Sequence, residues 1–268
     1  MNLRGLTHLI HRWILRADEI TAPVPEFNLH VRVIPADGMG RRLYKYRSHE
    51  PEITDAIRAH VRFAPGDVVL DVGANLGWYS MVVDRLAAGV CRTFAFEPDP
   101  RNFALLSKNI ALNGITSVTP CNLAVGEGSG TLALHRHGVK NTGRHSALPI
   151  NNGETVEVPV TTLDAFWRER GLGDAPVRLL KMDIEGYEAV ALRGARQVLT
   201  RCEWALVEHT PAFMRAAGMD PAETAAILTA AGFSPFYPRG PRLEPIPASV
   251  IAGAAEQHDV LWHRPVRA

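Results

Sequence analysis

The segment Val68-Val-Leu-Asp-Val-Gly-Ala-Asn-Leu-Gly77 constrains this chain more than any other. A short β-prone run ends in a glycine-containing turn, and a helix-prone run begins at Trp78. Gly73 lets the backbone turn tightly, and Gly77 permits close packing at the helix start. Strand and helix signals then alternate. Strands are expected at Val68–Val72, Thr93–Phe96, Ser117–Val125, Val177–Ile184 and Trp204–Glu208, with final candidates at Ser234–Tyr237 and Val260–Trp262. Helices are expected at Trp78–Ala87, Asn102–Asn113, Leu163–Arg170, Tyr187–Thr200 and Pro221–Ala231. Thr131–Leu134 and Val156–Val160 read as an extra pair of strands around a polar loop. This alternation predicts an α/β fold with a mostly parallel sheet and helices on both faces. The proline-rich stretch Pro235–Pro247 reads as an irregular loop.

The N-terminal part is less regular. Leu3, Leu6, Ile10 and Trp13 fall on one face of an expected amphipathic helix over 3–16. Short strands and loops are expected over 21–49, and a helix over 51–61 with Pro51 in its first turn. Residues 1–50 are therefore read as an extension and 51–268 as the main domain. Apolar types make up 46% and charged types 21% of 268 residues, enough for a sizeable core. The net charge of +1 gives no support to bulk nucleic-acid binding. Cys91, Cys121 and Cys202 are too few and too widely spaced for a disulfide framework or a zinc site. The longest run without charge, Asn109 to Gly126, contains a helix end, a turn and a strand. No transmembrane segment is expected, and reduced thiols point to the cytoplasm.

Three motifs carry the chemistry. The first is the glycine turn after Asp71. Dinucleotide sites use G-x-G-x-x-G to receive a pyrophosphate, whereas this turn offers only Gly73 and Gly77, preceded by a carboxylate. Asp71 suits a cationic, phosphate-free ligand such as S-adenosylmethionine. The second is Phe94-Ala-Phe-Glu-Pro-Asp99, which puts Glu97 at the end of the next strand, where it can accept hydrogen bonds from two ribose hydroxyls. That placement serves NAD equally well. The third is Leu180-Lys-Met-Asp-Ile-Glu-Gly186, with Asp183 expected beside the glycine turn and Glu185 two residues on.

Taken together, Asp71–Gly77, Glu97-Pro98 and Lys181-Met-Asp-Ile-Glu-Gly186 resemble the FkbM-type methyltransferases, a family within the class I S-adenosylmethionine-dependent group. Ala205-Leu-Val-Glu-His209 looks like that family's next strand, and the resemblance runs over about residues 44–240. It implies a Rossmann-like seven-stranded sheet with its last strand antiparallel, S-adenosylmethionine as cofactor, and O-methylation of a small-molecule or glycan hydroxyl. It further implies that Asp71, Gly73, Asn75 and Gly77 line the methionine end of the cofactor. Glu97 would hold the ribose, Asn122 and Ala124 would border the adenine, and Asp183 would meet the ammonium or the acceptor.

A hydroxyl acceptor needs a base. Asp183, Glu185, Glu208, His209 and His145 are candidates, with Asp183, Glu208 and His209 preferred as catalytic residues. Asp183, Glu185 and Glu208 would also form a hard-oxygen set for a divalent metal. No histidine–carboxylate spacing accompanies them, and no metal is expected. The stretch from Gly128 to Gly153 lacks acidic residues and carries Arg136, Lys140 and Arg144, as a lid over an anionic acceptor would. Neither interleaved aromatics nor an Asp/Asn-Pro-Pro-aromatic signature is present, so nucleic acid is not an expected partner. Two other readings stay open on the residues: a nicotinamide-dependent oxidoreductase, and a non-catalytic nucleoside-binding module.

Overall fold

The computed structural model describes residues 18–136, 145–148 and 154–265. The expected helix over 3–16 and the middle of the polar loop, including Lys140 and Arg144, lie outside them.

The described chain opens with a hairpin of β1 (Ile20–Val24) and β2 (Leu29–Val33), followed by α1 (Gly38–Tyr46) and α2 (Pro51–His60). Five mutually parallel strands then supply the centre of the fold. They begin with β3 (Val68–Val72), α3 (Trp78–Leu86), β4 (Arg92–Phe96), α4 (Pro100–Leu112) and β5 (Val118–Cys121). An insertion follows, built from β6 (Ala124–Val125), β7 (Gly130–His135) and β8 (Thr155–Thr161). After α5 (Leu163–Glu169) the chain returns as β9 (Val177–Met182), α6 (Glu188–Arg193), α7 (Arg196–Leu199) and β10 (Cys202–His209). The remainder is α8 (Pro211–Ala216), α9 (Ala222–Ala230), β11 (Ser234–Arg239), β12 (Arg242–Pro245), α10 (Ala248–Ala252) and β13 (His258–His263).

The main sheet has eight strands in the order β12-β11-β13-β10-β9-β3-β4-β5. From β3 the chain builds outward through β4 and β5, then crosses back to place β9 and β10 on the other side of β3. The reversal between β3 and β9 opens a crevice at the carboxyl ends of those strands, where ligands bind in sheets of this kind. β13 runs antiparallel to both β10 and β11. All five residues of β3 are buried, as a central strand covered on both faces requires. Alternate residues feed two cores. Val69, Ala95, Leu179 and Leu206 face the layer containing the hairpin and α1–α4. Val68, Leu70, Phe94, Leu180 and Val207 face the layer of later helices.

The structure departs from the sequence expectations in five places. The sheet has eight strands rather than seven, because β12 forms a hairpin with β11 inside the stretch read as a loop. Pro245 is tolerable there since β12 is an edge, where a missing N–H breaks no central ladder. The third strand stops at Cys121, and Ala124–Val125 turns away to pair with β8. The expected helix over Tyr187–Thr200 is two short helices. Between them Gly194 packs so closely that a Cβ there would lie 2.2 Å from Gly126 O. Gly38–Tyr46 is helical rather than irregular, capped by Asp37, which accepts from Gly40 N. Short helices at α8 and α10 were not expected.

The N-terminal hairpin shares the first core with the Rossmann-like part. Its edge is also satisfied by side chains of α4. Asn109 accepts from Arg32 N at 2.7 Å and donates to Arg32 O at 3.1 Å. Four residues on, Asn113 repeats the pair with His30 at 2.8 Å in each direction. Asn109 also donates to Leu76 O at 2.9 Å, just before the glycine turn ends. Asn109→Ala should orphan these backbone groups and destabilise the protein by about 1–3 kcal/mol. Urea unfolding should show the midpoint falling at unchanged slope; an unaltered midpoint would mean that this seam contributes nothing.

Candidate active site

A cavity of about 450 Å³ lies at the carboxyl ends of β3, β4, β9 and β10. One side is the turn after β3, where Gly73, Ala74 and Asn75 reach its wall. This turn is tied to the end of β4, since Gly73 N and Ala74 N both donate to Phe96 O. Gly73 has φ +78°, and a Cβ there would lie 1.9 Å from Asp183 O. Contact between strand ends, rather than clearance for a ligand, requires this glycine.

The floor is organised by Lys181. Its ammonium donates to Gly73 O at 3.0 Å and pairs with Asp183 at 3.3 Å and Asp71 at 3.8 Å. Burial alone would favour the neutral amine, but Asp183, Asp71 and Glu50 outweigh it and raise the pKa. Asp71 is buried and accepts from Ser80 Oγ at 2.5 Å. Its pKa is raised by burial despite Lys181. Above this floor, Tyr79 donates to Glu50 Oε2 at 2.5 Å, and His49 Nε2 lies 3.2 Å from the other Glu50 oxygen. Burial pushes Glu50 up, yet His49, Tyr79 and Lys181 bring it down to about 2.

Glu97 stands on the opposite wall. Its carboxylate accepts from Asn75 N at 2.8 Å and from Asp99 N at 2.9 Å, which fixes both oxygens between two loops. Burial raises its pKa to about 8. Asp99 in turn pairs at 2.5 Å with Arg136, at the end of β7, and so ties the insertion to this turn. Ala124 and Val125 complete that side.

The third feature is acidic. Asp183, Glu185 and Glu208 each present an oxygen within 4.8 Å of the others, a spacing that a hard divalent cation or a shared proton can bridge. Their proximity arises because β9 and β10 end side by side. Burial, then the charges of Asp183, Glu185, Asp259 and Glu188, push Glu208 well above the usual carboxylate range. Gln257 donates to one Glu208 oxygen, and the other has no hydrogen-bond partner.

Thus Gly73, Asn75, Glu97, Ala124, Asp183 and Glu208 meet on one cavity. Four other expected site residues do not reach its wall. Asp71 points from β3 into the packing against α3, one residue out of phase with Val72, which does line the cavity. Gly77 caps α3 at φ +92°, where a Cβ would lie 2.6 Å from Leu106 Cδ1. Asn122 donates to Glu97 O and Pro98 O, both at 2.9 Å, and so braces the turn after β4 from behind. His209 follows Glu208 on the strand and is buried away from the cavity, with burial lowering its pKa to about 4. His145 does line the cavity.

Residues 71–235 match the family model of the methyltransferase FkbM domain, well over half of the chain. The protein belongs to the FkbM methyltransferase family. It is 26% identical over 182 residues to the hexuronic acid methyltransferase AglP of Haloferax volcanii, covering 67% of this chain and 69% of the relative. It is 26% identical over 234 residues to the 31-O-demethyl-FK506 methyltransferase FkbM of Streptomyces tacrolimicus, covering 76% and 84%. A crystal structure of a methyltransferase FkbM from Methylobacillus flagellatus is 18% identical with a TM-score of 0.49. That match covers 82% of this chain, which spans about half, 49%, of the longer protein. Several cavity residues lie outside the matched region, namely Met39, Arg41, Arg42, His49, Glu50 and Gln257. No local motif marks them; long-range packing alone brings them to the site. Lys181 sits inside a recognised motif, and a lysine at the end of an apolar strand was the available signal for it.

The crowded acids predict a pH dependence. Glu188 and Glu97 have folded-state pKa values of about 7 and about 8, raised by burial, and Glu208 is raised as well. The folded state then holds protons that the unfolded state has released, so stability falls as pH rises through those values. His209 acts in the opposite sense, but only below its ordinary value of 6.5. The melting temperature of the ligand-free protein should therefore drop between about pH 6.5 and 8.5. Glu208→Gln keeps an acceptor for Gln257 and removes one ionisation, and its profile should be shallower. Parallel profiles in differential scanning fluorimetry would exclude Glu208 from the effect.

Proposed function

We infer that the protein is an S-adenosylmethionine-dependent O-methyltransferase acting on a hydroxyl of a small molecule or glycan. One observation carries this reading. Glu97, buried at the end of β4 and fixed by two backbone N–H groups, faces a cavity whose other walls carry Asp183, Glu185 and Glu208. A nucleoside fits Glu97, while a pyrophosphate seated at the glycine turn would lie beside Asp183 and Glu185 and lack the third glycine of a G-x-G-x-x-G loop. The residues therefore fit a cationic nucleoside cofactor better than a nicotinamide dinucleotide. The relative named for the 31-O position of FK506 supports an oxygen acceptor, and the one named for a hexuronic acid supports a glycan-type substrate, which offers both hydroxyls and a carboxylate.

When bound, S-adenosylmethionine would supply a methyl group to the acceptor oxygen by in-line displacement, with the thioether of S-adenosylhomocysteine as leaving group and the acceptor proton passing to a carboxylate. The chain's own residues do the rest. Glu97 would accept the ribose hydroxyls on its remaining lone pairs, and Ala124 would border the base. Asp183, held by Lys181, receives a hydrogen bond from an ammonium or from the acceptor. Glu208, whose pKa burial and the neighbouring acids raise well above the usual carboxylate range, lies within reach of Asp183 and Glu185, so the three can share the acceptor proton. A positioned base of this type contributes roughly 10²–10⁴-fold. Among the described residues no helix is long and apolar enough to cross a membrane. The three free cysteines are buried, which supports a cytoplasmic site of action.

S-Adenosylhomocysteine should raise the melting temperature and NAD should not, because only a ligand of the native state stabilises it. Glu97→Ala should weaken S-adenosylhomocysteine binding by about 10–150-fold in calorimetric titration. An unchanged dissociation constant would remove Glu97 from the cofactor site. Asp183→Asn should lower transfer of a radiolabelled methyl group to a hydroxylated acceptor by roughly 10²–10⁴-fold if it moves the proton. Loss of cofactor affinity in step with rate would instead assign Asp183 to the ammonium.

A further inference from the structure

The cavity is charged unevenly. Asp183, Glu185, Glu208 and Glu50 make its inner side negative, and Lys181 is committed to Asp71, Asp183 and Gly73 O. His49 is engaged with Glu50. Arg41 and Arg42, on α1, also line the cavity, are exposed, and have no ion pair among the described residues. Their position is set by the packing of α1. Asp37 Oδ2 accepts from Gly40 N at 3.0 Å and caps the helix. Gly40 sits so close to the end of β2 that a Cβ there would lie 2.3 Å from Ile34 O. Met39 Sδ rests 3.7 Å from Asn75 Nδ2, which fastens the helix to the glycine turn.

We propose that Arg41 and Arg42 form a carboxylate-binding element that receives the α-carboxylate of the cofactor's amino acid end. The assignment rests on the methyltransferase reading above. With Glu97 holding the ribose and Ala124 bordering the base, the amino acid end of the cofactor would lie along the glycine turn toward α1, whose Met39 rests against Asn75. The ammonium and sulfonium of that end are suited to the acidic inner wall. Its carboxylate is not, and the two uncommitted guanidinium groups are the complementary partners, able to bind it through two parallel N–H···O contacts. A carboxylate on the acceptor offers the same chemistry, and the experiment separates the two sources. The element lies outside the family-matched residues, which start at Asp71.

The test is calorimetric titration of S-adenosylhomocysteine and of its decarboxylated analogue into the full chain. Wild type, Arg41→Gln, Arg42→Gln and the double variant are compared. Both side chains are exposed, so the variants should keep the wild-type circular dichroism spectrum. Wild type should prefer the carboxylated ligand by roughly tenfold, the scale of one solvent-accessible charge-assisted contact. The double variant should lose that preference by weakening S-adenosylhomocysteine alone, leaving the analogue's affinity unchanged. The wild-type affinity for S-adenosylhomocysteine should also fall with added salt more steeply than the variant's. An intact preference in the double variant overturns the proposal. If that variant instead loses stabilisation by glucuronate, measured against glucose in the presence of S-adenosylhomocysteine, the carboxylate belongs to the acceptor and the cofactor assignment falls. A wild-type protein that binds neither adenosyl ligand overturns the methyltransferase reading itself, an outcome distinct from binding that ignores Arg41 and Arg42.

Discussion

A single buried ammonium holds the crevice together. Lys181 leaves the end of β9 and reaches across the sheet's reversal point to Gly73 O and Asp71 on β3, while keeping Asp183 on its own strand within 3.3 Å. An unpaired charge at such depth would be expelled or neutralised, and its hydrogen-bonded anions are what retain it. The reverse also holds, since Asp71 and Asp183 point to the same small region and would repel without it. The glycine turn, the motif after β9 and the first turn of α3 are therefore one electrostatic unit. Gly73 reinforces this unit sterically, because only a residue without Cβ lets the two strand ends approach so closely.

Around that unit the cavity divides by charge into functions. Glu97 is held by N–H groups and is positioned before any ligand arrives. Glu208 is the opposite case, with one oxygen lacking a partner and neighbours that disfavour its ionised form. Preorganisation suits recognition, where a fixed acceptor saves ordering entropy on binding. A carboxyl whose protonation is balanced by its neighbours suits proton transfer. The α1 arginines supply the remaining sign of charge from a different part of the chain.

Much of this was legible in the sequence, and the omissions have physical causes. The strands β3, β4, β9 and β10 and their helices announce themselves through apolar runs, glycine turns and caps, all local signals. Six of the expected site residues, including Glu97 and Asp183, reach the cavity because a residue at a strand's carboxyl end has few other places to go. Asp71 and His209 miss it because neighbouring positions of a strand face opposite sides, and no motif fixes that phase. Gly77 and Asn122 lie behind the turns that line the cavity, where they fix backbone geometry. Arg41, Arg42, Glu50 and Gln257 were unreadable, since they arrive from segments whose position depends on packing across the sheet. The helix α1 was missed for the same reason: glycines at positions 38 and 40 weaken its local signal, and its packing against β2 restores it.

The two outer strands of the main sheet each contain proline, Pro120 in β5 and Pro245 in β12. Each proline removes an amide donor from a margin where an incoming strand would need one, and Arg242 and Glu244 place charge along the second margin. A sheet of eight strands is long enough to act as a template for others of its kind. With both ends blunted, growth by strand addition is disfavoured, and copies of this protein at high concentration should remain separate or meet through other surfaces. Selection for a usable crevice at the middle of the sheet is thereby compatible with solubility at its borders.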